Sequence, residues 1–316
     1  MPTSGNLDVV TVGETMAAFV RDGDHYVVTT AGAESNVAAG VAQLGGRSRW
    51  ISRLGDDQLG HVVADSIAAH GVDVAVDWDP VRLTATCVKE VSATGTRMRY
   101  YRSTSPARRL DLLDLSDAGT APWLHLTGVT PALSPEDCDV VTALLTGTRA
   151  GRASFDVNYR PVLWPDPATA ADVLVPLARL ADVILIGEDE AEALLGTADP
   201  DAVAAILLRR PQQELILKRG GRAATLVSHE GHVSEPARLV DVVDLTGAGD
   251  AFAAGYVTAS VWGWDARGRL SLGHFLASRV VGVLSDIGPD VVPAELAELA
   301  ETLRQPFPPM TGEAQR

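Results

Sequence analysis

Lysine is almost absent from this chain: only Lys89 and Lys218 occur, so nearly all of the 26 basic residues are arginine. The basic residues are outnumbered by 41 acidic ones, which leaves a net charge of −15. Proteins that wrap nucleic acid or lie on anionic lipid need an excess of positive charge, and this balance argues against both. Cysteine is equally scarce. Cys87 and Cys138 are too few for a disulfide framework and lack metal-ligand spacing, which points to a reducing compartment. No uncharged apolar run approaches the roughly 20 residues that cross a bilayer. Met1 to Val10 has no basic segment followed by an apolar one, so no secretory signal is visible. A cytoplasmic protein is the expectation.

Several nucleotide and hydrolase motifs are missing as well. There is no G-x-x-x-x-G-K-[ST] loop and no G-x-G-x-x-G turn, since Gly13 stands alone and Gly247-Ala-Gly249 is followed by Asp-Ala-Phe. His residues are scattered without H-E-x-x-H spacing, which speaks against a dedicated zinc site, and no G-x-S-x-G occurs.

What is present is globular: 46% hydrophobic and 21% charged over 316 residues, room for one large α/β domain or two smaller ones. Asp8 to Gly13 is β-branched and stops at glycine, a buried strand. Ser35 to Leu44 reads as a helix ended by Gly45-Gly46, Arg49 to Leu54 as a strand, and Leu59 to His70 as a helix stopped by Gly71. Thr84 to Glu90 and Thr96 to Arg102 flank a polar turn at Ser92 to Gly95, a hairpin of mixed faces. Strands are then expected at Trp123 to Leu126, Ala153 to Val157, Val183 to Ile186 and Glu214 to Lys218, with helices between them. That alternation implies a mostly parallel sheet covered on both faces. Two late helices are expected, at Ala251 to Val261 and Leu272 to Leu284. With no internal repeat or linker, one domain over 7–305 is the better reading. It would carry a small β lid from about 14–31 and 81–104, with a frayed tail at 306–316.

The densest chemical signal is Asp244-Leu-Thr-Gly-Ala-Gly-Asp250-Ala-Phe-Ala-Ala-Gly255. A flexible turn leads into a helix, whose free N–H groups and dipole make a pocket for an anion. Asp250 sits where a carboxylate can take a proton from a hydroxyl attacking phosphorus. An N-cap Asp after a glycine turn explains the same letters, and spacing alone does not choose between the two.

This stretch resembles the D-T-x-G-A-G-D signature of the PfkB (ribokinase-like) carbohydrate kinases. Their other signature is matched by Gly45-Gly46 and Arg53-Leu-Gly-Asp-Asp-Gln-Leu-Gly60, ending in His70-Gly-Val-Asp73. Gly32-Ala-Glu-Ser-Asn36 resembles the family's substrate turn, and Lys218-Arg-Gly-Gly221 its nucleotide-side turn. The resemblance implies a ribokinase-like three-layer α/β/α sandwich with a β lid, and phosphorylation of a sugar-like hydroxyl by ATP with Mg²⁺. It makes Asp250 the base and the amides of Gly247, Ala248 and Gly249 the anion hole. It places Lys218, Gly220, Gly221, Asn158 and Glu190 on the cofactor side, and Asp244 where some members bind a monovalent cation such as K⁺. A strand-end Asp solvated in a loop explains Asp244 equally well. The family's N-x-x-E reads Gly187-Glu-Asp-Glu190 here, so its Asn is lost.

For the substrate, Phe155-Asp-Val-Asn-Tyr-Arg-Pro-Val-Leu-Trp164 closes a strand, and strand ends line the crevice of an open α/β sheet. Arg160 there suits a carboxylate, although on these letters alone an Arg that snorkels from a loop or pairs with Asp156 is the better reading. The segment is similar to F-D-x-N-x-R-x-x-L-W of the 2-keto-3-deoxygluconate kinase branch of the family. Tyr100 to Ala107 resembles that branch's lid strand. The likeness implies a sugar acid surrounded by Gly32, Asn36, Tyr100, Arg102, Val129 and Arg160. Cys87 where the branch commonly has Tyr, and Ala31 where it has Gly, imply a somewhat different pocket. Kinases of 5-dehydro-2-deoxygluconate, fructose and tagatose share this framework, and a non-catalytic sugar-binding regulator is a further alternative. Short lid strands of mixed polarity leave edges to cover, so a homo-oligomer joined through the lid is expected.

Overall fold

The computed structural model describes residues 7–92 and 95–306. The centre of the turn expected at Ser92 to Gly95, and the expected tail beyond residue 306, lie outside the described residues. Thirteen strands are found among the described residues: β1 Val9–Val12, β2 Met16–Asp22, β3 His25–Ala31, β4 Ser48–Gly55, β5 Asp73–Asp79, β6 Thr86–Ser92, β7 Gly95–Tyr101, β8 Trp123–Thr127, β9 Arg152–Asp156, β10 Val183–Gly187, β11 Glu214–Lys218, β12 Ala223–Ser228 and β13 Gly231–Pro236. The helices are α1 Ala33–Gln43, α2 Gln58–Ala69, α3 Pro135–Thr146, α4 Pro167–Leu180, α5 Glu188–Leu195, α6 Pro200–Leu207, α7 Ala248–Val261, α8 Ala266–Val280 and α9 Pro293–Leu303.

Nine strands form one sheet in the order β13-β12-β11-β10-β9-β8-β1-β4-β5, parallel from β5 to β11 and finished by the antiparallel β12 and β13. Its central strands are apolar on both faces, because helices cover both. The two-residue alternation sends Val9, Val183, Leu185 and Ile216 into a core with α1, α7 and α8. Val10, Ile184, Ile186 and Leu215 point the other way, into a core with α3, α4 and α6. The sheet is thus the middle of three layers, as the fold class predicts. Four more strands, in the order β3-β2-β6-β7, make a separate small sheet. Its hairpin has mixed faces: Cys87 and Lys89 are buried, whereas Glu90 is exposed.

Several elements depart from the sequence reading. The helix expected at Leu272 to Leu284 is α8, displaced toward the N-terminus. Asp265 caps it by accepting the Gly268 N–H at 2.8 Å, and the chain leaves the helix at Val281, whose carbonyl takes the N–H groups of Val243 and Asp244. Strand β5 and the β12–β13 hairpin, both at the sheet's margins, were not expected from the pattern. No helix among the described residues is long and apolar enough to cross a membrane.

Candidate active site

Parallel strands deliver their C-terminal ends to one rim of the sheet, and that rim holds the chemistry. Asp156 ends β9 and is followed by Asn158 and Arg160; Gly187 ends β10; Lys218 ends β11; and the N-terminus of α7 brings Gly247 to Asp250 alongside. The small sheet closes over them with Tyr100 from β7 and Arg102 just after it. The result is a cavity of about 400 Å³ lined by Gly32, Asn36, Tyr100, Arg102, Val129, Asn158, Arg160, Glu190, Lys218, Gly247, Gly249 and Asp250. A second cavity of about 360 Å³ adjoins it, lined by Gly220, Gly221, Ala248 and apolar side chains that include Val240 and Phe252. Lys218, Leu245 and Gly249 line both, so the two spaces meet at the start of α7. The structure therefore brings together every expected site residue except Asp244, which lies behind the wall.

Asp250 is buried in the wall of the polar cavity, next to Gly249 at the seam. Asn36 Nδ2 donates to its Oδ2 at 2.9 Å, and Asn158 Nδ2 to its Oδ1 at 3.3 Å. Asn158 reaches it from a left-handed backbone, φ +42°, a costly conformation for a side-chain-bearing residue. Both asparagine Oδ1 atoms are buried without a partner among the described residues. Burial pushes the Asp250 carboxyl up to about 6, while the Asn36 amide and the Arg160 charge act in the opposite direction. Asp250 is therefore ionised at neutral pH yet still basic enough to accept a proton.

The turn before it is shaped for an anion. Gly247 has φ +80°, and a Cβ there would collide with the Asp286 carbonyl, so only glycine fits. The Ala251 N–H is bonded to Gly247 O at 2.9 Å. The Ala248 N–H, expected to face the anion, instead makes a long 3.3 Å bond to Leu245 O. Among the described residues no acceptor takes the N–H groups of Gly249 and Asp250, as the start of a helix dictates. A Cβ on Gly249 would sit 3.5 Å from Lys218 Nζ, in the seam itself.

Other expected residues carry different tasks. Glu190 is spent on backbone: its carboxylate accepts the N–H of Gly187 at 2.6 Å and of Tyr159 at 2.8 Å. It thereby fixes the loop that carries Asn158 and Arg160, with the glycine standing where the family has Asn. Lys218 Nζ donates to Asp156 Oδ2 at 2.6 Å. Arg102 is ion-paired with Glu14, whose side chain is 1% exposed, whereas Arg160 is exposed and has no acidic partner among the described residues. The two arginines are therefore not equivalent, and Arg160 is not paired with Asp156. Both backbone groups of Val129 are used, its N–H on Thr127 Oγ1 and its carbonyl by Ala132, which leaves its side chain to line the cavity. Asp244 is neither solvated in a loop nor open to a monovalent cation, the two readings its sequence allowed: it is buried and held by the Lys89 ammonium at 2.6 Å.

The sequence pattern gave no site role to Glu14, Glu34 or Asp286, named Lys89 only for the scarcity of lysine, and named Asp156 only as an alternative partner for Arg160. Glu34 lies within the Gly32–Asn36 turn, with its Oε1 accepting from the hydroxyls of Thr127 and Thr130 at 2.7 and 2.8 Å. Burial raises it to about 7. It fits only because Gly13 has no side chain to meet it.

Comparison with known proteins accords with this geometry. The family model for pfkB family carbohydrate kinases matches residues 6–291. This chain belongs to that family. Among curated relatives, a 2-dehydro-3-deoxygluconokinase of Bacillus subtilis is 36% identical over 299 residues, covering 89% of this chain and 91% of that protein. A fructokinase of Klebsiella pneumoniae is 36% identical over 250 residues, covering 77% and 81%. Among solved structures, a double-mutant fructokinase from Vibrio cholerae O395, with fructose, ADP and potassium ion bound, superposes with a TM-score of 0.77. It is 24% identical, covering 94% of this chain and 99% of that one. The chain is thus a sugar kinase of ribokinase-like fold.

Proposed function

We propose that the protein transfers the terminal phosphoryl group of ATP to a hydroxyl of a sugar acid, with 2-keto-3-deoxygluconate and its 6-phosphate as substrate and product. The observation that carries this reading is the placement of Asp250 in the polar cavity, gripped by Asn36 and Asn158, beside Gly249, where that cavity meets an apolar one. ATP, when bound, supplies the transferable phosphoryl group. Its flat base suits the apolar cavity beside Gly220 and Gly221, and its phosphates suit the seam. Asp250 takes the proton of the attacking hydroxyl as the new P–O bond forms and ADP departs. The amides of Gly247 and Gly249, with that of Ala248 once its long bond to Leu245 is released, stabilise charge on the transferring group. Lys218 adds a fixed positive charge at the seam, oriented by Asp156. Mg²⁺ would be held mainly by phosphates and water. Among the described residues no cluster of three His, Cys, Asp or Glu side chains could hold a metal ion.

Arg160 is the reason to favour an acid over a neutral ketose. A guanidinium at the cavity rim with no acidic partner among the described residues offers a carboxylate two parallel hydrogen bonds. Tyr100 and Arg102 complete the wall from the small sheet, and Gly32 with Val129 sets its floor. A neutral ketose is the second reading, because fructokinases are also among the relatives. The exposed Tyr26, Val27 and Val28 on the edge strand β3 favour a second copy of the chain covering the lid. A clean monomer mass in light scattering at micromolar concentration would refute that assembly. The activity itself is tested by ADP release with ATP and Mg²⁺ over a panel of 2-keto-3-deoxygluconate, fructose and ribose. Turnover greatest with the acid supports the assignment; tight binding without turnover of any sugar would mean a regulator.

A further inference from the structure

Lys89 is one of only two lysines, and it is 1% exposed. It rises from β6 of the small sheet and crosses into the main body. There its ammonium meets three oxygens: it is ion-paired with Asp244 Oδ2 at 2.6 Å, and it donates to Asp286 Oδ1 at 2.7 Å and to the Leu284 carbonyl at 2.9 Å. The ammonium thus donates two hydrogen bonds, to Asp286 and to the Leu284 carbonyl, and is held against Asp244 by charge. Both carboxylates are themselves buried. Two such charges side by side are tolerable only with a cation between them.

The cage also braces the anion-binding turn from both sides. Asp244 Oδ1 accepts from Thr246 Oγ1 at 3.0 Å and from the Thr246 N–H at 3.3 Å, one residue before Gly247. The Asp286 carbonyl lies so close to Gly247 that a side chain there is excluded. Two carboxylates and a carbonyl are oxygen donors of the kind a hard cation would take, yet the lysine already fills the space between them. A free monovalent cation does not fit this cage.

We propose that Lys89 is a built-in monovalent cation: its tethered ammonium neutralises Asp244 and Asp286 and holds the Gly247 turn in its anion-binding shape, so the protein needs no K⁺. Lys89 is then a positioning residue, and it ties the lid to the anion hole. The inference rests on the phosphotransfer reading for its consequence in catalysis, but its structural part is testable without turnover.

The test uses the full-length wild type and Lys89→Ala, with Lys89→Gln as a second variant. Each is assayed at constant ionic strength with K⁺, ammonium or tetramethylammonium, which is too large for the cage, as the sole monovalent cation. Both kcat and the melting temperature of the ligand-free protein are read. The wild type should give kcat within about twofold in all three salts, and no K⁺-selective rise in melting temperature. Lys89→Ala should lose about tenfold or more of kcat in tetramethylammonium. K⁺ or ammonium should restore most of that loss and raise its melting temperature selectively. A wild type activated several-fold or stabilised selectively by K⁺ overturns the proposal. So does a Lys89→Ala protein that keeps full kcat in tetramethylammonium, or one whose loss no small cation repairs, which would mark a purely structural ion pair. If neither variant folds, the salt response of the wild type decides alone. Absence of turnover in every salt sinks the kinase reading, and the melting curves still decide the role of Lys89.

Discussion

The two cavities that meet at Lys218, Leu245 and Gly249 are built on different physics. The one beneath the small sheet is made of discrete polar grips: Asn36 and Asn158 on Asp250, Glu190 on two amides, Arg102 on Glu14 and Lys218 on Asp156. The other is lined by apolar surface, much of it on the segment from Ala237 to Leu245, where Leu239 is 95% exposed. Few hydrogen bonds hold that segment: Ala237 N–H reaches Arg222 O, and Val243 and Asp244 N–H reach Val281 O. A site built from discrete grips is specific and brittle, because each lost partner leaves a buried polar group unsatisfied. A site built from shape and backbone is tolerant. Single substitutions should therefore hurt far more on the first side than on the second.

The largest effect belongs to Asp250. Asp250→Asn removes the proton acceptor while keeping the side chain's size, and kcat should fall by about 10³-fold or more with little change in KM. Steady-state kinetics that retained a tenth of the rate would remove Asp250 from the role of base. Next comes a contrast within the polar cavity. Arg102→Ala leaves the Glu14 carboxylate buried and uncompensated, at a cost of about 3–5 kcal/mol in stability. Arg160→Ala removes an exposed group without a partner and should change stability by no more than about 0.5 kcal/mol. Chemical denaturation of the two variants side by side checks this, and equal losses would erase the distinction between the arginines.

A pH profile sharpens the comparison further. Asp250 must be ionised to accept a proton, so kcat/KM should fall below about pH 6, where its carboxyl becomes protonated, and level off above it. The Asn36 N–H favours the ionised form, so in Asn36→Ala the acid limb should move to higher pH. An unmoved limb would mean that Asn36 does not tune the base. The smallest effect is expected across the seam: Leu239→Ala should change the KM for ATP by less than about threefold, because one exposed side chain adds little to a shape-built wall. A loss like that of a polar-side variant would break the contrast.

Much of this was legible in the sequence, and the reason is topological. Alternating strands and helices force the ends of β9, β10 and β11 onto one rim, so Asn158, Arg160 and Lys218 had to assemble near the start of α7. What was not legible are the partners those groups take across the chain. Lys218 finds Asp156 62 residues away, and Lys89 finds Asp286 197 residues away. No local pattern encodes such pairs, so Arg102 and Arg160 read alike although one is neutralised by Glu14. One signal did exist. In a chain that otherwise uses arginine for positive charge, the two positions that keep lysine are both ion-paired in tight sites, where a compact ammonium fits and a forked guanidinium does not. The edges of the sheet were missed for another reason: β5 is only partly buried and β13 is mostly exposed, and edge strands carry a weaker apolar pattern.

The central claim is that Arg160, without an acidic partner among the described residues, makes the polar cavity a receiver of sugar acids. It is tested most directly by the ratio of kcat/KM for 2-keto-3-deoxygluconate to that for fructose, measured in the wild type and in Arg160→Ala. Loss of a charge-assisted pair should lower that ratio by about tenfold or more, through the acid alone. A ratio that favours fructose in the wild type, or one that Arg160→Ala leaves unchanged, would contradict it.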